Sequence, residues 1–376
     1  MNFFQLSIPT KVYYGRAIIQ DIFKKECNLF NGNILIVTTG RSLIRLGYLD
    51  RLKVEIENIN SAKTVTVFDN ISANPRLAEV KEGIAIGKEK GIDVVIGFGG
   101  GSALDAAKAI AVGIGSDEDI DVCFYEGKEP SKALPVVAIP TTAGTGSELS
   151  KAAIITDDIK KIKCGIRGEL MYPTLAIVDS VFTESVPRQI TMETGFDVLA
   201  HAIESYVSNA ASPYTEMLSE QAIRIVGKYL PRLAVDLHDV EAREKMSFAG
   251  MIMGINLGNA STALPHRMQY PIGAHTDTSH GAGLAALFSA WVHYEVKYSP
   301  GKMQRVVELL TGNQNASVEE GIIEFIKKLE LPMTLRELGV KGEQLLLMTT
   351  EVTGNIQNDP AVQEDNVVLK IYKEAF

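Results

Sequence analysis

An α/β half followed by an all-helical half is the fold class this sequence predicts, and three observations predict it. Over the first half of the chain, short apolar, β-branched runs alternate with amphipathic stretches, the pattern of buried parallel strands joined by crossover helices. Beyond about Pro187 that rhythm gives way to long segments of helical period, with no convincing strand among them. Finally, 376 residues with 46% hydrophobic and 22% charged side chains suffice for two compact domains and are too apolar for a disordered chain. The boundary is expected near residue 185, giving domains over 1–185 and 186–376 with a ligand cleft between them.

Taken in order, the expected strands are 33–37 (NILIV), 64–68 (TVTVF), 93–98 (DVVIGF) and 135–139 (PVVAI). The expected helices of the second half are 193–208, 214–229, 240–255, 303–310 and 318–329. Between the second and third of these and the last two lies a histidine-rich stretch, where Pro271 and Gly273 predict a helix that breaks, a loop, and a new helix beginning near His280. No internal repeat or low-complexity segment interrupts the chain.

Composition excludes several classes of function. The 46 acidic and 37 basic residues leave a net charge of −9, which argues against a nucleic-acid scaffold that must neutralise phosphates. No run approaches the roughly 18 apolar residues that span a bilayer, and MNFFQLSIPTKVYYG lacks a basic region followed by an apolar one. Cys27, Cys123 and Cys164 are widely spaced without a CxxC, so neither a disulfide framework nor a thiolate metal site is indicated. The expectation is a cytoplasmic protein with no membrane or nucleic-acid partner.

Two segments carry the chemistry of the first half. Residues 92–107 read IDVVIGFGGGSALDAA, an apolar strand running into three glycines and then a serine that opens an alanine-rich helix. Glycines there let the backbone approach a ligand, and the helix N-terminus offers N–H groups to an anion. The usual dinucleotide fingerprint is incomplete, because Ser102 stands where its third glycine belongs; a Walker loop is excluded because Lys108 lies too far along the helix. Residues 139–147 read IPTTAGTGS, again a strand end followed by hydroxyl residues and glycines. Two such loops at neighbouring strand ends form a crevice for a pyrophosphate and a nicotinamide ribose, so the first half is expected to be a Rossmann-like, dinucleotide-binding domain. At the end of the second strand, VTTGRS (37–42) contains no acid to bind ribose hydroxyls. Gly40, Arg41 and Ser42 instead offer room, a positive charge and a hydroxyl, which favours NADP over NAD.

The second half carries metal-ligand chemistry. GFDVLAHAIES (195–205) places Asp197 and His201 four residues apart on one helical face, where they can share a divalent cation. Three of the six histidines, His266, His275 and His280, fall within PHRMQYPIGAHTDTSHG (265–281), which can turn imidazoles toward the same point. Three imidazoles and a carboxylate suit iron(II) or zinc with positions left open for a substrate oxygen. His238 and His293 have no such company and read as surface or packing residues.

With these motifs in view, the sequence resembles the iron-dependent (group III) alcohol dehydrogenases over essentially its whole length. The matching stretches are IPTKVYYG (8–15), FDNISANP (68–75), GGGSALDAAKAIA (99–111), PTTAGTGSE (140–148), LAIVD (175–179), GFDVLAHAIESYVS (195–208) and the histidine pair ending in SHG (279–281). The resemblance implies NAD(P)-linked interconversion of an alcohol with an aldehyde or ketone by a homodimer. It places metal ligands at Asp197, His201, His266 and His280, and a pyrophosphate loop at Gly99, Gly100, Gly101, Ser102 and Asp105. A nicotinamide-side loop falls on Thr141, Thr142 and Ser147, and a basic residue near the ribose on Lys163.

Departures from the family pattern bear on the substrate. Tyr270 stands where relatives with an ordinary alcohol site carry a histidine, His275 replaces an aromatic or small residue, and Arg267 follows the ligand His266. Ser72, Ala73 and Ser180 also depart from the pattern. Tyr270 is a candidate proton relay with the nicotinamide ribose. His275 and Arg267 are candidate donors to an anionic tail, so the expected substrate is a small, polar or anionic aldehyde. Competing readings are a metal-free maleylacetate reductase-like enzyme, a zinc glycerol dehydrogenase-like enzyme, a dehydroquinate synthase-like lyase and a non-catalytic nucleotide sensor. The full ligand quartet opposes the metal-free enzyme, and a sensor need not keep it. The lyase needs several further basic phosphate-binding residues, and no motif of the sequence places them.

Overall fold

The computed structural model describes residues 3–59 and 62–376. Its first half runs β1 (Lys11–Gly15), α1 (Ile19–Lys25), β2 (Gly32–Thr39), α2 (Ser42–Arg45), α3 (Tyr48–Glu57), β3 (Ala62–Ile71), α4 (Leu77–Lys90), β4 (Val94–Gly99), α5 (Gly101–Gly115), α6 (Ile120–Tyr125), β5 (Val136–Pro140), β6 (Ala152–Asp157), β7 (Ile162–Arg167) and β8 (Leu175–Asp179). Six strands form one parallel sheet in the order β1-β8-β5-β4-β2-β3. The reason is visible along β2: Ile34 and Ile36 pack on one face with α1 and α3, while Leu35 and Val37 pack on the other with α4 and α5. Both faces are apolar, so the strand is a continuous hydrophobic run between two helical layers.

The four expected strands all form, each within a residue or three of its expected bounds. Two features were not expected. The edge strand β1 pairs with β8, and β6 and β7 form an antiparallel hairpin outside the main sheet.

The second half is helical: α7 (Arg188–Val207), α8 (Pro213–Val235), α9 (Val240–Asn259), α10 (Leu264–Thr276), α11 (His280–Tyr298), α12 (Pro300–Thr311), α13 (Val318–Lys328), α14 (Leu345–Thr350) and α15 (Val367–Glu374). α7 is its centre, buried along nearly its whole length against α8, α9 and α11. The expected break at Pro271 does not occur. α10 runs on to Thr276 and ends at Asp277 in the left-handed conformation. Leu264 to Ala274 is buried throughout, and Tyr372 donates to the carbonyl of Met268, in the turn that the proline disturbs, at 2.6 Å. Burial along the whole segment outweighs the local proline penalty.

The chain leaves β2 for β3 in one direction and β4 for β5 in the other. The switch point therefore lies at the carboxyl ends of β2 and β4, where open α/β sheets bind ligands.

Candidate functional site

At that switch point β4 ends in Gly99, whose φ of +158° lies at the limit of what side chains tolerate. Gly100 precedes the first turn of α5, and no side chain caps that helix. The glycines are set by contact between loops: a Cβ on Gly101 would stand 2.5 Å from Cγ2 of Thr145, and one on Gly100 3.3 Å from Oγ1 of Thr142. Thr141 donates its N–H to the Gly99 carbonyl at 2.8 Å. The two glycine loops of the sequence thus meet face to face.

Other members of the set hold this geometry. Asp105 accepts from Oγ of Ser147 at 2.5 Å and from the N–H of Ile154 at 2.9 Å, pinning the second loop and the hairpin to α5. Ser102 donates to the Ala73 carbonyl. Lys163, on β7, is buried and donates to Oδ1 of Asn74 at 2.8 Å. Asn74 in turn donates to Asp277 at the end of α10, tying the two halves together. Burial lowers the Lys163 ammonium to about 8, against the pull of Asp105, Asp277 and Asp197.

A cavity of about 500 Å³ runs from these loops to the helical half. Gly101, Ser102, Asp105, Ser147 and Lys163 line one end, and Asp197, His201, His266, His280 and Tyr270 line the other. Gly99, Gly100, Thr141 and Thr142 are not in its wall, and Gly40, Arg41 and Ser42 are exposed at the end of β2.

At the helical end, α7 supplies Asp197 and His201, α10 supplies His266, and α11 begins at His280. Oδ1 of Asp197 lies 3.6 Å from Nδ1 of His201, 3.3 Å from Nε2 of His266 and 3.8 Å from Nε2 of His280. The Asp197, His201 and His266 atoms are buried and have no hydrogen-bond partner. Buried polar atoms are nearly always satisfied, so three unsatisfied ligand atoms facing one point fit a cation. Their donor set, carboxylate oxygen and imidazole nitrogen, suits a divalent one.

Electrostatics agree at three of the four groups. Burial opposes ionisation of Asp197, but the three imidazoles hold its carboxyl well below the usual range. Burial pushes His201 down to about 3 and His280 well below its ordinary value, leaving both in the neutral form that binds metal. Burial also works against a charge on His266, but Glu204 and Asp197 override it and hold the ring up to about 10.

The sequence reading missed the residues that aim these rings. Nδ1 of His266 donates to the fully buried Glu204 at 2.6 Å, and Glu204 also accepts from the N–H of Ala263. Nδ1 of His280 donates to Oε1 of Gln269 at 2.5 Å. Glu204 shares a helical face with Asp197 and His201, so the 197/201/204 spacing was a usable signal.

His275 is not brought to this site. It lies in the last turn of α10, with Nε2 2.7 Å from Glu351, and is not among the cavity-lining residues. The expectation that a loop would carry it past the metal fails because that segment is helix. Tyr270 is 5% exposed, with its ring centroid 6.5 Å from that of His280.

Comparison with known proteins bears on the family and the fold. Residues 9–180 match the model for iron-containing alcohol dehydrogenase, and residues 191–376 that for the C-terminal part of the Fe-containing alcohol dehydrogenase family. The NAD-dependent methanol dehydrogenase of Bacillus methanolicus is 29% identical over 100% of both chains. NADH-dependent butanol dehydrogenase A of Clostridium acetobutylicum is 30% identical over 99% of each. The crystal structure of an alcohol dehydrogenase from an archaeal halo-thermophile of a Red Sea brine pool superposes with a TM-score of 0.92 at 28% identity, covering 100% of this chain and 99% of that one.

Proposed function

The chain belongs to the iron-containing alcohol dehydrogenase family, and from that premise we propose how its residues carry out the reaction. It is a metal-dependent, nicotinamide-linked alcohol dehydrogenase or aldehyde reductase. The observation that carries the residue assignment is the convergence of unsatisfied buried atoms on Asp197, His201 and His266 at one end of a cavity whose other end is built from the two glycine loops.

Asp197, His201, His266 and His280 would hold the cation, with iron(II) favoured by family. When bound, it supplies Lewis acidity toward a substrate oxygen. Glu204 and Gln269 fix their histidine partners with Nδ1 protonated and Nε2 turned inward. The glycine loops and the start of α5 receive the dinucleotide, and the buried walls keep water from the reacting atoms. Tyr270 is placed to relay a proton. Aldehyde reduction is the favoured direction, and a cytoplasmic homodimer is the favoured setting. Among the described residues no helix is long and apolar enough to cross a membrane. Oxidation of NAD(P)H in the presence of an aldehyde panel, abolished by chelator and restored by iron(II) or zinc, tests the proposal; turnover that chelation leaves untouched would sink it.

Cofactor choice turns on the end of β2. It carries no acid, and the exposed Arg41 beside Gly40 and Ser42 favours NADP, although three relatives are named for NAD or NADH. The expected result is higher kcat/KM with NADPH, reduced about tenfold by Arg41→Ala. Better efficiency with NADH, indifferent to that substitution, would reverse the assignment.

Lys163 gives a pH dependence. With its ammonium lowered to about 8, it is cationic below that pH and neutral above it. Dinucleotide affinity should therefore weaken about five- to tenfold as pH rises through 8, and Lys163→Met should flatten the profile. Fluorescence titration of the reduced cofactor from pH 6.5 to 9.5 measures both; parallel profiles would show that Lys163 does not bear on binding.

A further inference from the structure

Arg267 lines the cavity and, among the described residues, forms no ion pair. It follows His266 on α10, lines the cavity, and is only 6% exposed. Nη1 donates to the Tyr270 hydroxyl at 3.3 Å and Nη2 to Oγ of Ser261 at 3.0 Å. Nε has no partner. Among the described residues its hydrogen-bond partners are thus two neutral hydroxyls, which do not balance a buried charge. Burying a guanidinium without a counter-charge is costly, and proteins keep such a group where a ligand supplies the missing charge.

The surroundings aim this group toward the cavity. Ser261 holds φ at +62°, a left-handed conformation uncommon for a residue other than glycine. Its N–H is fixed to the Asn256 carbonyl at 3.1 Å, and it lines the same wall as Arg267. Gly354 closes the opposite side: a Cβ there would stand 3.1 Å from Cδ and 3.2 Å from Nε of Arg267. Tyr270 lies along the guanidinium, 5.9 Å from ring centroid to Cζ. The dinucleotide loops do not supply the missing anion, because they stand at the far, sheet end of the cavity.

We infer that Arg267, braced by Ser261, anchors the anionic tail of the substrate, which is a short aldehyde, or its alcohol, bearing a carboxylate, sulfonate or phosphonate. The inference rests on the dehydrogenase reading and names the substrate class of that same site. It transfers to Arg267 the role that the sequence also offered to His275. A planar fork with free N–H donors suits any of the three oxyanions, and the guanidinium lies in the same cavity as the ligand His201, close enough to oppose its protonation, which keeps the tail within a short chain of the reacting carbon.

Calorimetric titration of the metal-loaded protein, saturated with reduced dinucleotide so that the alcohols bind without being oxidised, tests it with 3-hydroxypropanoate, 2-hydroxyethanesulfonate, 2-hydroxyethylphosphonate and 1-propanol. At least one anion should bind about tenfold or more tighter than 1-propanol, and Arg267→Gln should weaken that anion about 30-fold or more while changing 1-propanol less than about threefold. The anion that binds best identifies the tail. Arg267→Met, which fills similar space, takes the place of Arg267→Gln should the latter fail to give a cooperative melt. Equal binding of 1-propanol and all three anions by the native protein overturns the inference, as does an anion preference that survives loss of the guanidinium. Turnover is scored apart: failure to reduce any aldehyde, butanal included, would count against the dehydrogenase reading, while the titrations still decide the anchor.

Discussion

Replacing His266 with alanine is expected to strip the protein of its divalent cation and lower turnover by about three orders of magnitude or more. The ring is 3% exposed, its Nε2 has no protein partner, and that atom lies 3.3 Å from the equally unpartnered Oδ1 of Asp197. A site of this kind is unfavourable without a cation, because the buried carboxylate then faces two imidazoles, His201 and His280, that burial holds in the neutral form. Removing one of four ligands lowers affinity and leaves Glu204, fully buried, without the Nδ1–H it accepts. His280→Ala should act in the same direction and less severely on folding, since that side chain is 26% exposed. Metal content by mass spectrometry, cooperative melting and kcat are measured on the same preparations. Full metal stoichiometry in both variants would remove these residues from the ligand set. Unchanged turnover in metal-free protein would instead favour the metal-free reductase reading.

The interior strands β2, β4 and β5 and the long helices were legible because burial writes itself into their sequences, whereas β8, equally buried, was reached only as the matching stretch LAIVD. A strand such as β2 that is apolar on both faces has no other use for NILIV. The other elements that escaped carry weaker marks. β1 is half exposed at the sheet edge, and the β6–β7 hairpin mixes polar and apolar residues because it stands outside the main sheet and closes over the cleft. Lys163 was reached only through resemblance for that reason. Pro271 misled because a local rule was applied to a segment whose course is set by tertiary burial. Tracing that segment as a loop is also what placed His275 near the metal. The ligands were legible from scarcity, since few histidines cluster and one helix pairs an acid with an imidazole. Gln269 and Asn74 were not, because glutamine and asparagine are common and only three-dimensional contact singles these two out, whereas the 197/201/204 spacing was a signal for Glu204.

Gly254→Val is expected to lower both stability and turnover, the latter by about 100-fold, although the residue touches neither ligand set. Gly254, on α9, meets the loop between β5 and β6 backbone to backbone: a Cβ added to it would lie 2.5 Å from the Gly146 carbonyl oxygen and 2.9 Å from Cβ of Leu149. The contact is reciprocal, since a Cβ on Gly146, whose φ is +61°, would lie 2.5 Å from both N and Cα of Gly254. One turn away, a Cβ on Gly250 would stand 3.2 Å from the Gly144 N–H nitrogen. Small residues along α9 therefore let the helical half lie directly on the glycine loop of the sheet. A valine forces that loop outward by about 1 Å or strains the helix, overpacking that typically costs about 1–3 kcal/mol. Because Ser147 of the loop is bonded to Asp105 and Thr145 packs on Gly101, the displacement carries the dinucleotide end of the cavity away from the helical end. Hydride transfer needs the two reacting carbons within about 3–3.5 Å, so a shift of this size acts on kcat more than on metal content. Gly254→Ala should show a smaller effect of the same kind. Thermal melting, metal analysis and steady-state kinetics on both variants test the argument; native kcat in a stably folded Gly254→Val protein would show that the close approach of the two halves does not govern the reaction.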